Sequence, residues 1–360
     1  DKDIWMYHSV AEIGIDTVMA KYALKNRDII YPIINKVGSD NTYVYGLDWR
    51  MPMEWFADDL ADQINYISKK TGRKVSVAAH SMGGSALSSY IMKYGTSKLS
   101  HITYIHSAFF GVNYFGDLYS GKCDIDAQGL LNMITSTIGT SIISDILGTS
   151  PLFKQAVPYI QKYINTEDPV LAEYKNIFGH TPTYFDRLMV EYFLPYFCNN
   201  PALFAFVKAD RFDECKTYIK KAMAVAQKKN LGLSDFKIAL NWASFENKID
   251  FYQNKDHSAR KGTSHKTLSQ ILLEAEKKGV ITSIFSGYNR AFIAIGESSK
   301  LHSDGVIDTK GTSAGATIAN FNEKLPEDYT PKGKLKYISP DGVIDASTCL
   351  FPDHTFFTKN

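Results

Sequence analysis

The chain has 360 residues, 44% of them hydrophobic and 13% aromatic, so it is long enough to bury one large core or two ordinary ones. Its formal net charge of +2 is near neutral and its lysine pairs are typical of solvated helix faces, so nothing in the composition indicates nucleic-acid binding. The four cysteines lack zinc-like spacing and leave the number of disulfides open, and no apolar run of about 18 residues predicts a membrane span.

Helices and strands alternate in the first third of the chain. A helical pattern over residues 1–36 is followed by a turn and by an aromatic, β-branched strand over residues 42–47. An amphipathic helix is predicted over residues 53–70, and strands are predicted over residues 74–79 and 102–106. Because strands alternate with helices, we expect parallel βαβ units in an open α/β sheet.

The pattern changes near residue 113, and no clear strand follows until residue 279. This is a long connection by ordinary standards, and its segments are apolar, aromatic-rich or charged helices. One interpretation is a second helical domain with its own core. The other is a cap or lid whose apolar faces line an acyl-chain pocket or contact lipid, and the two interpretations are compatible.

Strands resume in the last part of the chain. They are predicted over residues 279–283, over the buried run 290–296, and over residues 355–358 close to the end. The second of these runs is the most apolar, and a glycine-containing acidic loop comes directly after it.

The segment 75–84 (VSVAAHSMGG) has the layout of a nucleophile elbow. A β-branched strand leads into Ser81, small residues lie on both sides of it, and a helix-forming run follows. Ala79 replaces the first glycine of the usual Gly-x-Ser-x-Gly pattern, at a position that needs only a small side chain. The alternative is that Ser81 merely caps a helix, but a cap needs neither Ala79 nor the glycines.

An elbow of this kind within alternating strands and helices predicts the α/β-hydrolase fold. We expect a mostly parallel sheet built from residues 1–112 and 281–360, with residues 113–280 inserted as a large helical cap or lid. Ser81 would then lie at the carboxyl edge of the sheet, where a substrate can reach its hydroxyl.

A serine nucleophile needs an acid and a histidine, which in this fold follow it in that order. Asp304 lies in a loop after the strand predicted at 290–296, and Asp341 lies in a near copy of that loop, since residues 303–308 read SDGVID and residues 340–345 read PDGVID. We favour Asp304 as the acid, with Asp341 as the alternative. The other aspartate would be an Asp-Gly turn residue that bonds its own backbone.

His354 is the one histidine that follows both acids, and it is therefore predicted to be the base. It precedes the strand at residues 355–358, whereas a catalytic histidine in this fold usually follows the last strand. Two alternatives remain open: a base on sequence beyond Asn360, and a surface role for His354.

The oxyanion hole is expected to use the backbone N–H of Met82, the residue after the nucleophile. A second donor is unassigned, because no strand with a His-Gly or Pro-Gly loop is found upstream of residue 42. We therefore expect that sequence preceding Asp1 once supplied this loop.

These motifs resemble the lecithin:cholesterol acyltransferase-like family of α/β-hydrolase lipases and esterases, which includes lysosomal phospholipase A2. The resemblance rests on residues 45–50 (YGLDWR) and 79–84 (AHSMGG), and residues 303–306 (SDGV) are similar to the family's Gly-Asp-Gly-Thr-Val acid motif. It is specific over residues 42–95, weaker over residues 290–315, and absent from the inserted region.

The resemblance implies acyl-ester substrates, often phospholipids at a membrane surface, a mobile lid, no metal or other cofactor, and an extracytoplasmic location. Apart from the resemblance, the residues themselves favour a purely structural role for Trp49 at its strand end, with packing against the acyl pocket or the lid as the alternative. Trp49 and His80 are the candidate substrate contacts. Two family features are not matched: the early Val-Pro-Gly oxyanion loop, and the His-Leu pair, which is His354-Thr355 here.

The sequence therefore favours a serine lipase, phospholipase or esterase that works through an acyl-enzyme. Transfer of the acyl group to an alcohol is a variant that depends on how well water is excluded. The main alternative is a catalytically incomplete protein of the same fold that binds a lipid or a protein partner. A peptidase is less favoured because the inserted region is so apolar.

Overall fold

The computed structural model describes residues 4–18, 27–46, 48, 50–122, 124–126, 129, 132, 151–253, 266–331 and 335–359. Its strands are β1 (Val75–His80), β2 (Leu99–Ile105), β3 (Ile281–Tyr288), β4 (Arg290–Ala291), β5 (His302–Ser303), β6 (Thr317–Ile318), β7 (Ile344–Asp345) and β8 (Thr355–Lys359). β1, β2, β3 and β8 form a parallel four-stranded sheet in that order, while β4 pairs with β5 and β6 with β7 in two antiparallel pairs.

The helices lie mostly before β2 and between β2 and β3. They are α1 (Val10–Ile13), α2 (Ile15–Val18), α3 (Arg27–Val37), α4 (Met53–Thr71), α5 (Gly83–Tyr94), α6 (Asn113–Tyr119), α7 (Pro151–Ile164), α8 (Lys175–Phe178), α9 (Tyr184–Leu188), α10 (Leu194–Phe197), α11 (Phe212–Lys228), α12 (Asp235–Gln253), α13 (Leu268–Lys277) and α14 (Thr309–Thr312). Short 3₁₀ turns occur at Ile4–Tyr7, Ser39–Asn41, Ala172–Tyr174, Pro201–Phe206, Ala209–Arg211, Gly296–Lys300, Leu335–Tyr337, Ala346–Thr348 and Pro352–His354, and a π-helical turn, Met189–Phe193, joins α9 to α10.

The N-terminal part is more broken than its helical pattern predicted. Gly14, at φ +89°, separates α1 from α2. Residues 42–46 form no strand, which corrects the prediction for residues 42–47 as far as the structure describes them. The carbonyl of Thr42 accepts a hydrogen bond from the N–H of Val10 at 2.7 Å, and Val44 packs on the small core around α1. The β-branched side chains here serve that core, so local β-propensity is overridden by packing.

The sheet core depends on three helices whose apolar faces meet it. The amphipathic helix predicted over residues 53–70 is confirmed as α4, which ends at Gly72 in the left-handed conformation with φ +66°. Its buried face packs with α5, α13 and the sheet in one hydrophobic cluster. The predicted strands 74–79, 102–106 and 355–358 are confirmed with shifts of up to three residues as β1, β2 and β8.

A second and larger core lies among the helices between β2 and β3. It is rich in aromatic residues, such as Tyr119 stacked on Phe204 with ring centroids 5.0 Å apart. The same cluster contains Ala86 of α5 and Ala108, which follows β2. The helical region therefore packs directly against the segments that leave the carboxyl edge of the sheet.

The buried run 290–296 was predicted as a sheet strand, and this prediction is wrong. The sheet strand is β3, which continues to Tyr288, and Asn289 then turns the chain with φ +75°. Arg290 and Ala291 form the short β4, and Phe292 is buried in the helical core instead. The run is apolar because it packs under the helices, a burial that hydrophobicity alone cannot distinguish from that of a central strand.

Gly84 marks the closest approach between α5 and the segment after β2. A methyl group at Gly84 would lie 2.5 Å from Cβ of Ser107, whereas one at Gly83 would meet Cβ of Ala79 at 4.0 Å. The first distance is a clash and the second is an ordinary contact. Of these two neighbouring glycines, only Gly84 is required by packing.

We expect Gly84→Ala to lower the free energy of unfolding by about 1–3 kcal/mol, because overpacking forces backbone shifts in a dense core. The matched variant Gly83→Ala should cost less than about 0.5 kcal/mol, since it meets only ordinary contacts. Urea unfolding of both variants measures the difference. Equal destabilisation of the two would show that the contact with Ser107 is unimportant.

Candidate functional site

Ser81 follows directly on β1 and adopts a backbone conformation that serine rarely takes. Its φ is +51°, in the left-handed region. The N–H of Ser81 donates to the carbonyl of Ile105 at 3.2 Å, and its own carbonyl accepts from the N–H groups of Gly84 and Ala108 at 3.1 and 3.2 Å. This conformation costs on the order of 1–3 kcal/mol and persists because the neighbours hold it. Within the described chain, its hydroxyl makes no hydrogen bond.

The first amides of α5 lie beside that hydroxyl in the chain. Met82 is the N-cap residue of α5, and its carbonyl accepts from the N–H of Ser85 at 3.0 Å. The N–H groups of Met82 and Gly83 donate to no described residue. Unpaired N–H groups at the start of a helix carry partial positive charge and favour an anion. The side chains of Tyr45, Met51 and Met82 each pack against the helical core.

His106 follows β2, the neighbour of β1 in the sheet. It also lies in the left-handed region with φ +44°, and its N–H donates to the carbonyl of Phe285 at 2.8 Å. Since Ile105 is the register partner of His80, His106 and Ser81 leave the sheet side by side. Two strained residues at adjacent strand ends are typical of a functional site.

Asp304 is the acidic partner of His106. Its Oδ2 lies 3.3 Å from Nδ1 of His106, and its Oδ1 accepts hydrogen bonds from the N–H groups of Val306 and Ile307, both at 2.8 Å. Burial alone would raise the pKa of this carboxyl. The hydrogen bonds from His106 and from the two amides outweigh burial and hold the pKa of Asp304 below its ordinary value. Asp304 is therefore a carboxylate at neutral pH.

The ring of His106 is oriented by this contact. Asp304 occupies the Nδ1 side, while Nε2 makes no hydrogen bond with any described residue. A histidine with a carboxylate on Nδ1 and a free Nε2 is arranged as a general base that can accept a proton through Nε2. The tautomer with hydrogen on Nδ1 is the one that the carboxylate favours.

His80, predicted as a substrate contact, is half-buried beside this pair. Burial lowers its pKa first of all, the neighbouring His106 lowers it further, and the Asp304 carboxylate acts in the opposite direction. The neutral form of His80 is therefore favoured near neutral pH. Its position immediately before Ser81 places it within the same cluster of groups.

His354, predicted as the base, is not brought to Ser81. It precedes β8, the fourth strand of the sheet, and its ring lies 3.7 Å from Glu276 of α13. Three strand spacings separate β8 from β1, which is roughly 14 Å across the sheet. His354 is also at the beginning of its strand, whereas Ser81 is at the end of its own. The acid it was to pair with contacts His106 instead.

Asp341, the alternative acid, has different partners although its loop repeats the sequence of the Asp304 loop. Its carboxylate accepts from Tyr288 at 3.0 Å, Lys359 at 2.9 Å and Ser339 at 2.7 Å. Burial opposes ionisation, but these hydrogen bonds prevail and lower the pKa of Asp341 strongly. In turn, burial and the nearby carboxylate raise the pKa of Tyr288 to about 12. Among the described residues Asp341 forms no hydrogen bond or ion pair with a histidine, although its charge acts on the nearby His302.

The remaining predicted features are placed as follows. Trp49 lies outside the described residues. Asp48 and Arg50 form an exposed ion pair at 2.6 Å, which lowers the pKa of the Asp48 carboxyl. The N–H of Met82 donates to no described residue, and the second oxyanion donor stays unassigned. Of the cysteines, Cys198, Cys215 and Cys349 are buried free thiols, and burial raises their pKa to about 12.

The described residues hold neither a cluster of metal-ligating side chains nor a helix that could span a membrane. Among them, no three histidine, cysteine or acidic side chains come together as a metal site would need. In the same part of the chain, no helix combines the length and apolarity that crossing a membrane requires.

Sequence reasoning passed over His106 because it precedes the acid in the chain. A signal was present: His106 follows the strand next to the one that ends at Ser81. In a parallel sheet the carboxyl ends of neighbouring strands meet at one edge, and side chains there come together whatever their order in the chain. Ser81, directly after β1, and His106, directly after β2, both follow this rule.

If Asp341 has a structural role, Asp341→Asn should reduce stability at pH 7. A carboxyl whose pKa is lowered by folding contributes stability above its unfolded pKa of about 4, and this contribution is lost as the pH falls through the folded pKa. The difference between wild type and variant should therefore shrink below about pH 4. Urea unfolding at several pH values measures it.

The control for this prediction is Asp353→Asn, because Asp353 also accepts hydrogen bonds, from Lys336 and Tyr337, but is exposed. Solvent screens such a pair, so we expect a smaller loss. Equal stability of wild type and Asp341→Asn at pH 7 would contradict the structural role.

No family model, curated protein or solved structure matches this chain.

Proposed function

We propose that this chain is a serine ester hydrolase of the α/β-hydrolase fold that acts on lipid or other acyl esters through an acyl-enzyme. The observation that carries the proposal is the position of Ser81, held at φ +51° between β1 and α5 and followed by the N–H groups of Met82 and Gly83, which donate to no described residue. The Asp304–His106 pair on the neighbouring strand end supports it. We assign His106 as the base in place of His354.

In the first half of the reaction, Ser81 Oγ attacks the ester carbonyl carbon. His106 Nε2 takes the hydroxyl proton, and Asp304 stabilises the resulting imidazolium through Nδ1–H. The N–H of Met82 donates to the oxyanion that forms on the former carbonyl oxygen. His106 then gives the proton to the leaving alcohol, and the acyl group remains on Ser81.

The second half repeats these steps with water. His106 accepts a proton from the water that attacks the acyl-enzyme, and returns it to Ser81 Oγ as the acid leaves. An alcohol in place of water gives acyl transfer, which is favoured where water is excluded. In the free protein the Ser81 hydroxyl makes no hydrogen bond to His106, and the proposed reaction requires the two groups to come within hydrogen-bond reach when substrate binds.

The aromatic composition of the helical region favours a substrate with an apolar acyl group over one with a polar acyl group. The side chains of Met82 and Tyr45 both pack against a core rich in phenylalanine and tyrosine. On the outer side of α7 and of the helix that begins with α9, four tyrosines are largely exposed: Tyr159, Tyr163, Tyr192 and Tyr196. Exposed aromatic rings of this kind suit an interface between water and lipid.

We expect a fluorophosphonate probe to label the wild-type chain and to fail with Ser81→Ala. Hydrolysis of p-nitrophenyl esters should fall at least about 10³-fold in the variant, because the acyl-enzyme cannot form. The control is Ser100→Ala, at the opposite end of the sheet, where Ser100 contacts Ser76. Comparing short and long acyl chains measures the preference for lipid.

The base and the acid are tested with matched pairs. His106→Asn should reduce the rate by about 10²–10⁴-fold, the usual contribution of a general base, while His354→Asn should leave it unchanged. Asp304→Asn should reduce activity far more than Asp341→Asn at a temperature where both are folded. Full activity of His106→Asn would contradict its assignment as base.

The second candidate is a binding protein of the same fold with an inactive serine. The observation that favours it is the unbonded state of both Ser81 Oγ and His106 Nε2 among the described residues. Failure of the probe to label the folded wild-type chain would support this candidate and contradict the hydrolase.

A further inference from the structure

Asp308, the last residue of the SDGVID segment, is fully buried and has a built set of partners. Its Oδ1 accepts from the N–H of Gly311 at 2.9 Å and from Nζ of Lys208 at 3.0 Å. Its Oδ2 accepts from the N–H of Asn113 at 2.8 Å. Lys208 is 17% exposed, and its Nζ also donates to Oδ1 of Asn113 at 3.4 Å. A buried carboxylate with these partners is satisfied, and the loss of its cation would leave it uncompensated.

Two of the three partners of Asp308 come from distant parts of the chain, and the third lies close to it in sequence. Asn113 begins α6, seven residues after His106. Lys208 belongs to the helical region, and Gly311 lies in α14. Asp308 itself is four residues after Asp304, and the loop between them is closed by a bridge that pairs Ser303 with Asp308. One carboxylate therefore joins the segment that carries the base, the loop that carries the acid, and the helices.

The backbone segments that meet around Asp308 are packed so closely that one cannot move without the others. A methyl group at Gly311 would lie 2.6 Å from the carbonyl oxygen of Gly111, and one at Gly111 would lie 2.9 Å from that of Phe206. The same carbonyl of Phe206 accepts from the N–H of Val112 at 2.8 Å. A displacement of the Lys208 segment would therefore be passed on to the chain on either side of the Asp304–His106 pair.

We propose that Lys208 is a positioning residue: through the buried Asp308 it holds the His106 segment and the Asp304 loop at the separation that lets Asp304 bond the His106 ring. It touches neither Ser81 nor the reacting atoms. Its catalytic consequence rests on the proposed function, but the geometric consequence does not. Through the contact between Lys208 and Asp308, the helical region helps to hold Asp304 and His106 together. This role is separate from that of a lid over the site.

The test compares Lys208→Met with Lys122→Met in the full chain. Lys122 is the matched control, because it pairs with Glu214 of α11 at 2.8 Å and so also joins the α6 side to the helical region, but on the surface. The first readout is the low-field proton NMR signal of His106 Nδ1–H, identified by its loss in His106→Asn. The second is the rate of fluorophosphonate labelling of Ser81, measured where every variant is fully folded by circular dichroism.

We expect Lys208→Met to broaden or shift the His106 signal and to slow labelling about 10- to 100-fold, the cost of a displacement near 1 Å in a catalytic group. Lys122→Met should keep the signal and label within about twofold of wild type, as for an ordinary surface pair. A folded Lys208→Met variant with an unchanged signal and an unchanged rate would overturn the proposal.

Two further comparisons separate the possible failures. If Lys208→Met does not fold, the double variant Lys208→Met/Asp308→Asn removes the uncompensated charge; a normal His106 signal there would overturn the proposal, and an altered one would support it. If wild type shows the signal but is never labelled, the hydrolase proposal fails, while the effect of Lys208→Met on the signal still decides the positioning role.

Discussion

The close approach of α5 to the segment after β2 is the constraint on which the site depends. No side chain fits at Gly84, so the helix lies directly against Ser107, whose hydroxyl donates to the carbonyl of Ala79 at 2.7 Å. The carbonyl of Ser81 is held by the N–H of Ala108 from the same segment. Ser81 is therefore held between α5 and the segment after β2, and cannot relax to an extended or helical conformation. The positive φ of Ser81 follows from core packing, because the local preference of serine for positive φ is weak.

The two acidic loops show that a nearly identical sequence takes a different role when the sheet places different groups opposite it. In both loops an aspartate accepts from nearby backbone amides, and burial opposes its ionisation in each. Asp304 faces the end of β2, where His106 emerges. Asp341 faces the ends of β3 and β8, where it meets Tyr288 and Lys359. The loop conformation is set by neighbouring residues, whereas the side chain that the aspartate contacts comes from another part of the fold.

Much of this was within reach of the sequence, for reasons that are themselves physical. α4, β1 and the turn at Ser81 have periodicity and turn residues that depend on near neighbours, and Asp304 was chosen as a candidate from its glycine-containing loop. His106 was missed because its role depends on strand order, which the sequence of one chain does not state. His354 was chosen by chain order alone, and the structure places it three strands away from Ser81. The strand predicted at residues 290–296 failed because an apolar run does not say which core buries it.

The same dependence on distant contacts shapes the site as a whole. Ser81 is fixed by neighbours on β1, α5 and the segment after β2, which are close in the chain. The Asp304–His106 pair requires a contact between residues nearly two hundred positions apart, and Asp308 adds Lys208 from the region between them. Closing the long loops between such residues costs conformational entropy before the contacts stabilise the fold, so we expect these contacts to form late in folding. The strained turn at Ser81 is thus formed by local packing, and the Asp304–His106 pair forms when distant parts of the chain come together.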